Sequence, residues 1–378
     1  MKFKKLYDLC EYVNQKINSS SVNVSLYIST ENMLPQKGGI VRAESIPING
    51  KVNSFLEGDT LVSNIRPYFK KIWKASFSGA CSNDVLIFRA RESVNKMFLY
   101  YLLSEDKFFD YSMASSKGTK MPRGDKKCLM EYEVPDYPRD YQDKIVKLLS
   151  SIDKKIEINN LINKNLEEQA QSIFSKIINK SSKFVVSLSE IAMLNPRRIL
   201  SKGKIARYID MSQLSTSTSF PSGWDYKKFN GGMRFCNGDT LLARITPCLE
   251  NGKTAYVNFL DDKEVAFGST EYIVMCSKGI YPNEFFYCLA RYSDFVDYAV
   301  KNMNGSSGRQ RVSAEIVGKY ELPKINDSDL QEFMDIVPNL FNICRTNNLE
   351  NMNLEKIRDT LLPRLMSGEI DVSKLGVG

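Results

Sequence analysis

The chain has 378 residues, 43% of them hydrophobic and 25% charged, with 52 basic side chains against 44 acidic. That is length for two or three folding units with real cores, and a surplus of eight positive charges permits a polyanionic partner without demanding one. Histidine is absent, which excludes Ser-His-Asp and Cys-His nucleophilic centres, imidazole proton shuttles and His-containing zinc sites, but not carboxylate, lysine or all-cysteine chemistry.

The N-terminal Met1-Lys2-Phe3-Lys4-Lys5 is basic, but Asp8 and Glu11 arrive before any apolar stretch, so it does not read as a secretory signal. Residues 1–138 then mix short β-rich runs such as Val85-Leu86-Ile87-Phe88 with an amphipathic helix near 96–111. Residues 139–180 have few glycines and a helical period. Residues 181–326 return to the first pattern, with Tyr272-Ile273-Val274-Met275 as a β-rich run and a helix near 283–300. Residues 327–366 return to the second, and 367–378 form a tail. No apolar run reaches about 18 residues, so no membrane partner is expected. The eight cysteines are scattered and form no C-x-x-C knuckle. They read as buried free thiols of a cytoplasmic protein without a structural metal.

The two patterns are copies. Phe55-x-x-Gly58-Asp59-Thr60-Leu61 returns as Phe235-x-x-Gly238-Asp239-Thr240-Leu241, and Ile65-x-Pro67 as Ile245-x-Pro247, both displaced by 180 residues. Ser82 and Ile87 match Ser269 and Val274 at 187, and Glu133-Val134-Pro135 matches Glu321-Leu322-Pro323 at 188. Asn159-Asn160-Leu161 falls on Asn347-Asn348-Leu349 at the same 188. Ordered matches with a slowly drifting offset identify an internal duplication of an α+β module followed by a helix.

Within the helices, Ile145, Leu149, Ile152, Ile156, Asn159, Asn163 and Leu166 step by four and three, the a/d spacing of a coiled coil. Adding 188 carries the register onto Val337, Leu340, Asn347, Asn351, Leu354 and Leu361. An antiparallel pairing about a pseudo-dyad near Leu161 and Leu349 sets Asn159 against Asn351 and Asn163 against Asn347. Buried Asn pairs weaken such a seam but select its register; the alternative puts these residues just off the seam, in water. Pro338 has Ser150 as its counterpart, and the expectation is a short helix followed by a new one with Pro338 in its first turn.

Residues 1–138 and 181–326 each carry a net charge of +5, whereas 327–378 carry −4. The positive excess therefore sits on the two modules. Ser115–Arg123 follows the helix of the first module with Lys117, Thr119, Lys120 and Arg123; Asn304–Arg311 takes the same place in the second with Ser307, Arg309, Gln310 and Arg311. Small residues let a backbone approach phosphate, while Arg suits guanine and Gln adenine in a major groove. One such loop alone would be a solvated turn; two, basic in both copies but different in side chain, point to DNA. A second cluster interleaves Arg66, Lys70, Lys71 and Lys74 with aromatics, and its counterpart holds Arg244, Thr246 and Lys253. Trp73 reads equally well as a core anchor there, and Asn251-Gly252 as a hairpin turn. No nucleotide-binding glycine loop occurs. Asp136, Asp153 and Lys155 satisfy a P-D…D-x-K nuclease spacing, but Asp153 and Lys155 fall on the long helix rather than on strands. That nuclease and a coiled-coil adaptor for protein partners are the alternatives.

The chain resembles the specificity (S) subunit of Type I restriction-modification systems. The resemblance rests on Leu148-Leu149-Ser150-Ser151-Ile152-Asp153-Lys154-Lys155-Ile156-Glu157, on Asn165-Leu166-Glu167-Glu168-Gln169-Ala170, and on the run from Arg358-Asp359-Thr360-Leu361-Leu362-Pro363 to Gly368-Glu369-Ile370. It implies an α+β fold of two tandem target-recognition domains, 1–138 and 181–326. Spacer helices 139–180 and 327–366 would separate them as an antiparallel coiled coil with pseudo-twofold symmetry, and the tail 367–378 would sit near the first domain. It also implies a chain without a catalytic site of its own that reads a bipartite double-stranded DNA target, one half-site per domain. Two modification subunits would bind S-adenosylmethionine, and restriction subunits would complete the complex.

Overall fold

The computed structural model describes residues 2–116, 118, 121–180, 184–306 and 308–374. The chain divides into two compact units, Met1–Lys154 with Leu354–Gly378, and Lys155–Asn353. The first contains β1 (Phe3–Lys5), α1 (Leu6–Leu9), β2 (Cys10–Val13), β3 (Lys16–Asn18), β4 (Tyr27–Ile28), β5 (Lys51–Phe55), β6 (Thr60–Ser63), β7 (Ile72–Lys74), β8 (Gly79–Cys81) and β9 (Val85–Ala90). There follow α2 (Lys96–Leu103), α3 (Asp106–Ala114), α4 (Lys126–Met130), β10 (Glu133–Pro135) and the start of the long helix α5 (Arg139–Asn179). The second unit contains β11 (Val185–Ser187), α6 (Leu188–Ile191), β12 (Ala192–Leu194), β13 (Ile205–Ile209), β14 (Asp225–Lys228), β15 (Met233–Phe235), β16 (Thr240–Ala243), β17 (Thr254–Tyr256), β18 (Ala266–Gly268) and β19 (Tyr272–Ser277). It continues through α7 (Asn283–Ala290), α8 (Ser293–Lys301), α9 (Ala314–Gly318) and β20 (Glu321–Pro323) into α10 (Asp327–Met366), whose last turns belong to the first unit.

The duplication extends to strand pairing. One antiparallel sheet runs β2-β9-β6-β7 in the first unit and β12-β19-β16-β17 in the second. A two-stranded ribbon pairs β1 with β10 and β11 with β20. In the remaining sheet three strands correspond, β5-β8-β4 with β15-β18-β13, including the parallel pairs Tyr27↔Ala80 and Tyr208↔Phe267. The fourth strand differs: β3 joins at β5 in the first unit, whereas β14 joins at the opposite side, on β13, in the second.

The repeated Phe-x-x-Gly-Asp-Thr-Leu motif now has a physical reading. Phe55 and Phe235 are fully buried. Gly58 and Gly238 take φ of 89° and 91°, the left-handed region that glycine enters without strain. The aspartate closes the turn: a carboxylate oxygen of Asp59 accepts from Leu56 N at 2.8 Å, and one of Asp239 from Cys236 N at 2.8 Å. Both carboxylates are buried, so each requires a cation. Asp59 takes Arg89, with contacts of 2.7 and 2.8 Å, and Asp239 takes Arg198, whose Nε lies at 3.2 Å. The two arginines are not copies of one another: Arg89 lies on β9 and Arg198 in the segment between β12 and β13, so both modules keep the buried charge but draw its partner from different places.

Each core is aromatic and aliphatic and includes turns of the long helices. In the first unit Ile145, Leu149, Leu362, Leu365 and Val372 join Phe88, Phe98 and Phe108; in the second Phe174, Ile177, Val337 and Phe341 join Phe285, Phe286 and Phe295. Tyr137 Oη donates to Leu365 O at 3.1 Å, and Val372 N donates to Tyr141 Oη at 3.3 Å, both within the first unit. All eight cysteines are free, and burial pushes the Cys10, Cys81 and Cys344 thiols up to about 12. Among the described residues no helix is long and apolar enough to cross a membrane.

Three local expectations fail. The helices near 96–111 and 283–300 are each two helices, broken at Ser104-Glu105 and at Arg291-Tyr292, where the chain turns so that both halves reach the core. Asn251-Gly252 is not a two-residue hairpin. The segment after β16 makes a helical turn, with Asn251 N donating to Pro247 O, and Gly252 (φ 69°) ends it as a C-terminal glycine. Pro338 does not interrupt its helix: α10 is continuous through it. Phe333, Val337 and Phe341 are buried on one face and hold the turns on either side, and Asn339 Nδ2 donates to the Asp335 carbonyl at 3.0 Å beside the proline. Tertiary packing here outweighs local propensity.

Candidate nucleic-acid interface

In each module the segment after the third shared strand of the antiparallel sheet meets the loop that returns from the second helix. In the first, Asn64 N donates to Asp84 O (2.8 Å), Arg66 N donates to Pro122 O (2.9 Å), and Ile65 bridges to Arg123. In the second, Arg244 N donates to Glu271 O (3.0 Å), Thr246 N donates to Gln310 O (3.1 Å), and Ile245 bridges to Arg311. The backbone framework is one framework used twice.

A side-chain pair closes it. Arg123 Nε lies 3.1 Å from Asp84 Oδ1, with a second contact of 3.3 Å. Arg311 reaches both oxygens of Glu271 at 2.7–3.0 Å and donates to Arg309 O at 3.1 Å. The hydrogen bonds and charge of Arg311 hold the Glu271 carboxyl below the usual carboxylate range. Arg244 Nε also approaches Glu271, at 3.9 Å.

Around this frame the modules diverge. The first opens into a cleft of about 760 Å³ lined by Arg66, Lys71, Glu31, Asp84, Phe69 and Met121 among others. Arg66 adopts φ 51°, and its buried Nε has no hydrogen-bond partner. Lys71 Nζ donates to Thr30 O at 2.6 Å, and desolvation lowers its pKa. The second presents Thr246, whose Oγ1 accepts from Gln310 N at 3.1 Å, and an exposed Arg309 that makes no ion pair with a described residue.

The remaining sequence-derived candidates separate. Lys70 pairs with Asp106 at 2.8 Å, which Lys37 also contacts at 3.0 Å; against the upward pull of partial burial, the two lysines hold Asp106 below its ordinary value. Lys253 Nζ donates to Met211 O at 2.9 Å. Lys74 stands at the far end of β7, pairing with Thr60, and lines a different cleft together with Arg89, Arg91 and Lys96. An extended strand carries Lys74 away from Arg66, a separation that proximity in sequence conceals. Trp73 packs on Phe55 and Phe77, at 6.0 and 5.1 Å, as a core side chain. Lys117, Thr119, Lys120 and Ser307 lie outside the described residues. Asp84 and Glu271 were missed; both halves keep an acid at that point, and this was the available signal.

The helical seam is polar at its middle. Asn159 Nδ2 donates to Asn351 Oδ1 and Asn347 Nδ2 to Asn163 Oδ1, each at 2.8 Å, inside the second unit. Asn159, Asn163 and Asn351 are buried, as are Ile145, Leu149, Ile152 and Val337 of the seam, while Ile156, Leu166, Leu340, Asn347, Leu354 and Leu361 are half-buried. The carboxylates of the nuclease reading have structural partners: Asp136 pairs with Lys4, Asp153 accepts from Tyr101 and Arg358, and Lys155 pairs with Glu350.

Comparison with known proteins agrees with this geometry. Residues 1–168 match the family model of the Type I restriction modification DNA specificity domain. The chain is 21% identical to the Type I restriction enzyme HindI specificity subunit of Haemophilus influenzae, over 97% of this chain and 98% of that one. It is 26% identical to the MjaIX specificity subunit of Methanocaldococcus jannaschii, over 75% and 71%. The crystal structure of a Type-I restriction-modification S subunit from M. genitalium shares the fold, with a TM-score of 0.58 at 16% identity over 97% and 96% of the two chains. Module duplication, the helical seam and these matches converge: residues 1–168 match the Type I restriction modification DNA specificity domain, and the chain over nearly its whole length is similar to a Type I specificity subunit.

Proposed function

We infer that this chain is the sequence-specific DNA-binding subunit of a Type I restriction-modification complex, reading one half-site of a bipartite target with each module. The observation that carries the reading is the repeated frame with exchanged side chains: the same backbone contacts present Arg66 beside Pro122 in one module and Thr246 beside Gln310 in the other. Identical frames with different donors suit two different short sequences. The chain itself supplies recognition; two modification subunits bind S-adenosylmethionine and methylate the adenine, and restriction subunits cleave unmarked DNA, all in the cytoplasm. The exposed Ile158, Leu161 and Ile162 on α5 offer apolar area for a modification subunit.

Methylome mapping of the host with and without this chain, followed by salt-dependent binding of the full-length chain to the mapped duplex, tests the reading. A two-part methylated motif that vanishes with the chain, and binding that weakens steeply with salt, are expected. An unchanged methylome and no DNA binding, alone or with modification subunits, would remove it.

A further inference from the structure

The arginines most easily read as base contacts are already engaged. Arg123 and Arg311 occupy the same place in the two modules, each bridged to the isoleucine that opens the segment after the strand. Each is ion-paired to an acid, Asp84 or Glu271, whose own carbonyl accepts from the residue before that isoleucine. Each arginine thus ties the returning loop to the end of the neighbouring strand. In the second module Arg311 also donates to Arg309 O, so the pair fixes the loop backbone at the residue next to Gln310. The residues that differ between the modules, Arg66 against Thr246 and Pro122 against Gln310, are those joined by the backbone contact beside this pair.

We propose that Arg123–Asp84 and Arg311–Glu271 are positioning pairs: they hold the loop at the height from which Arg66 in one module, and Thr246 with Gln310 in the other, select bases of double-stranded DNA. The proposal rests on the recognition function above and assigns its specificity to those neighbours rather than to the paired arginines. A guanidinium spent on a carboxylate fork has few donors left for a base edge. Misplacing a reading residue by about 1 Å is enough to forfeit a bidentate base contact.

The test uses the full-length chain and three duplexes: the mapped target and two copies with one half-site scrambled in each. Arg311→Ala, Glu271→Gln and their combination are each expected to lose roughly tenfold of the preference for one half-site. The combination should be no worse than either single change, and preference for the other half-site should stay within about twofold, which also reports folding. Exchanging the charges, Glu271→Arg with Arg311→Glu, should recover part of the loss. Asp84→Asn and Arg123→Ala should do the same at the other half-site. If Arg311→Ala loses preference while Glu271→Gln keeps it, Arg311 reads a base itself and the positioning role is wrong. Unchanged preference in every variant overturns it as well. A wild-type chain indifferent to all three duplexes brings down the recognition reading, and the pairs' role with it.

Discussion

Asn159 and Asn351, 192 residues apart, meet side chain to side chain at 2.8 Å on facing turns of the two long helices within the second unit. Asn159 Oδ1 and Asn163 Nδ2 are left without a partner. The seam therefore exchanges some stability for a unique alignment. Asn351→Leu alone should destabilise the chain by about 1–3 kcal/mol, because it removes one of the two acceptors of the buried Asn159 amide, leaving only Glu350, and the donor to Asn160 Oδ1. Asn159→Leu combined with Asn351→Leu should equal or exceed the wild type. Urea denaturation of the wild type and the two variants checks this; a double variant weaker than the wild type would show that the pair contributes net stability.

The same pair gives a direct register test. Asn159→Cys with Asn351→Cys should cross-link under mild oxidation, whereas Asn159→Cys with Asn347→Cys, about one turn out, should not. Migration on non-reducing gels reads the result.

The buried Asp239 depends on Arg198 as Asp59 does on Arg89. Arg198→Ala is expected to cost about 3 kcal/mol by leaving a carboxylate buried without its cation. Arg89→Ala should do likewise in the first module. Thermal unfolding of each variant measures the loss, and a change under about 0.5 kcal/mol would mean water replaces the guanidinium.

Glu105 gives the chain a pH signature. Burial pushes its carboxyl up to about 7, opposed by Lys107 and Lys37 and assisted by Asp106. Its Oε1 has no hydrogen-bond partner. Because the folded state holds this proton more tightly than the unfolded chain, Glu105 favours folding below about pH 4.5. That contribution is lost as pH rises to about 7 and stays lost above it. Glu105→Gln should therefore match the wild type near pH 5 and exceed it by about 1–3 kcal/mol at pH 8. Denaturant midpoints at the two pH values decide it.

Pro338 lacks the amide that a continuous helix would use, and α10 runs through it regardless. Pro338→Ala should stabilise the second unit by about 1–3 kcal/mol. No gain by calorimetry would mean the neighbouring turns have already adapted fully to the ring.

The parts of the molecule legible from sequence are those in which a period meets a constraint. The Gly-Asp turn, the Glu-x-Pro ribbon strands and the heptad Asn recur because each solves a backbone or burial problem that few residue types solve. The breaks at Ser104-Glu105 and Arg291-Tyr292 were hidden because the apolar period continues across the turn. Pro338 misled because its buried neighbours, invisible to propensity, hold the helix together. At Arg311 basic composition reveals the charge but not the Glu271 carboxylate that meets it. An arginine at 123 and 311 matched by an acid at 84 and 271 in both copies is the sequence trace of that pairing.

The fourth strand of the mixed sheet, added at β5 in one module and at β13 in the other, shows how such a protein can diversify. The element attached on opposite flanks of the same three strands lies outside the pairing that the two modules share. A lineage can gain, lose or exchange it while the rest of the module stays folded. New contours facing a partner can then arise by accretion at the margins, without renegotiating the interior.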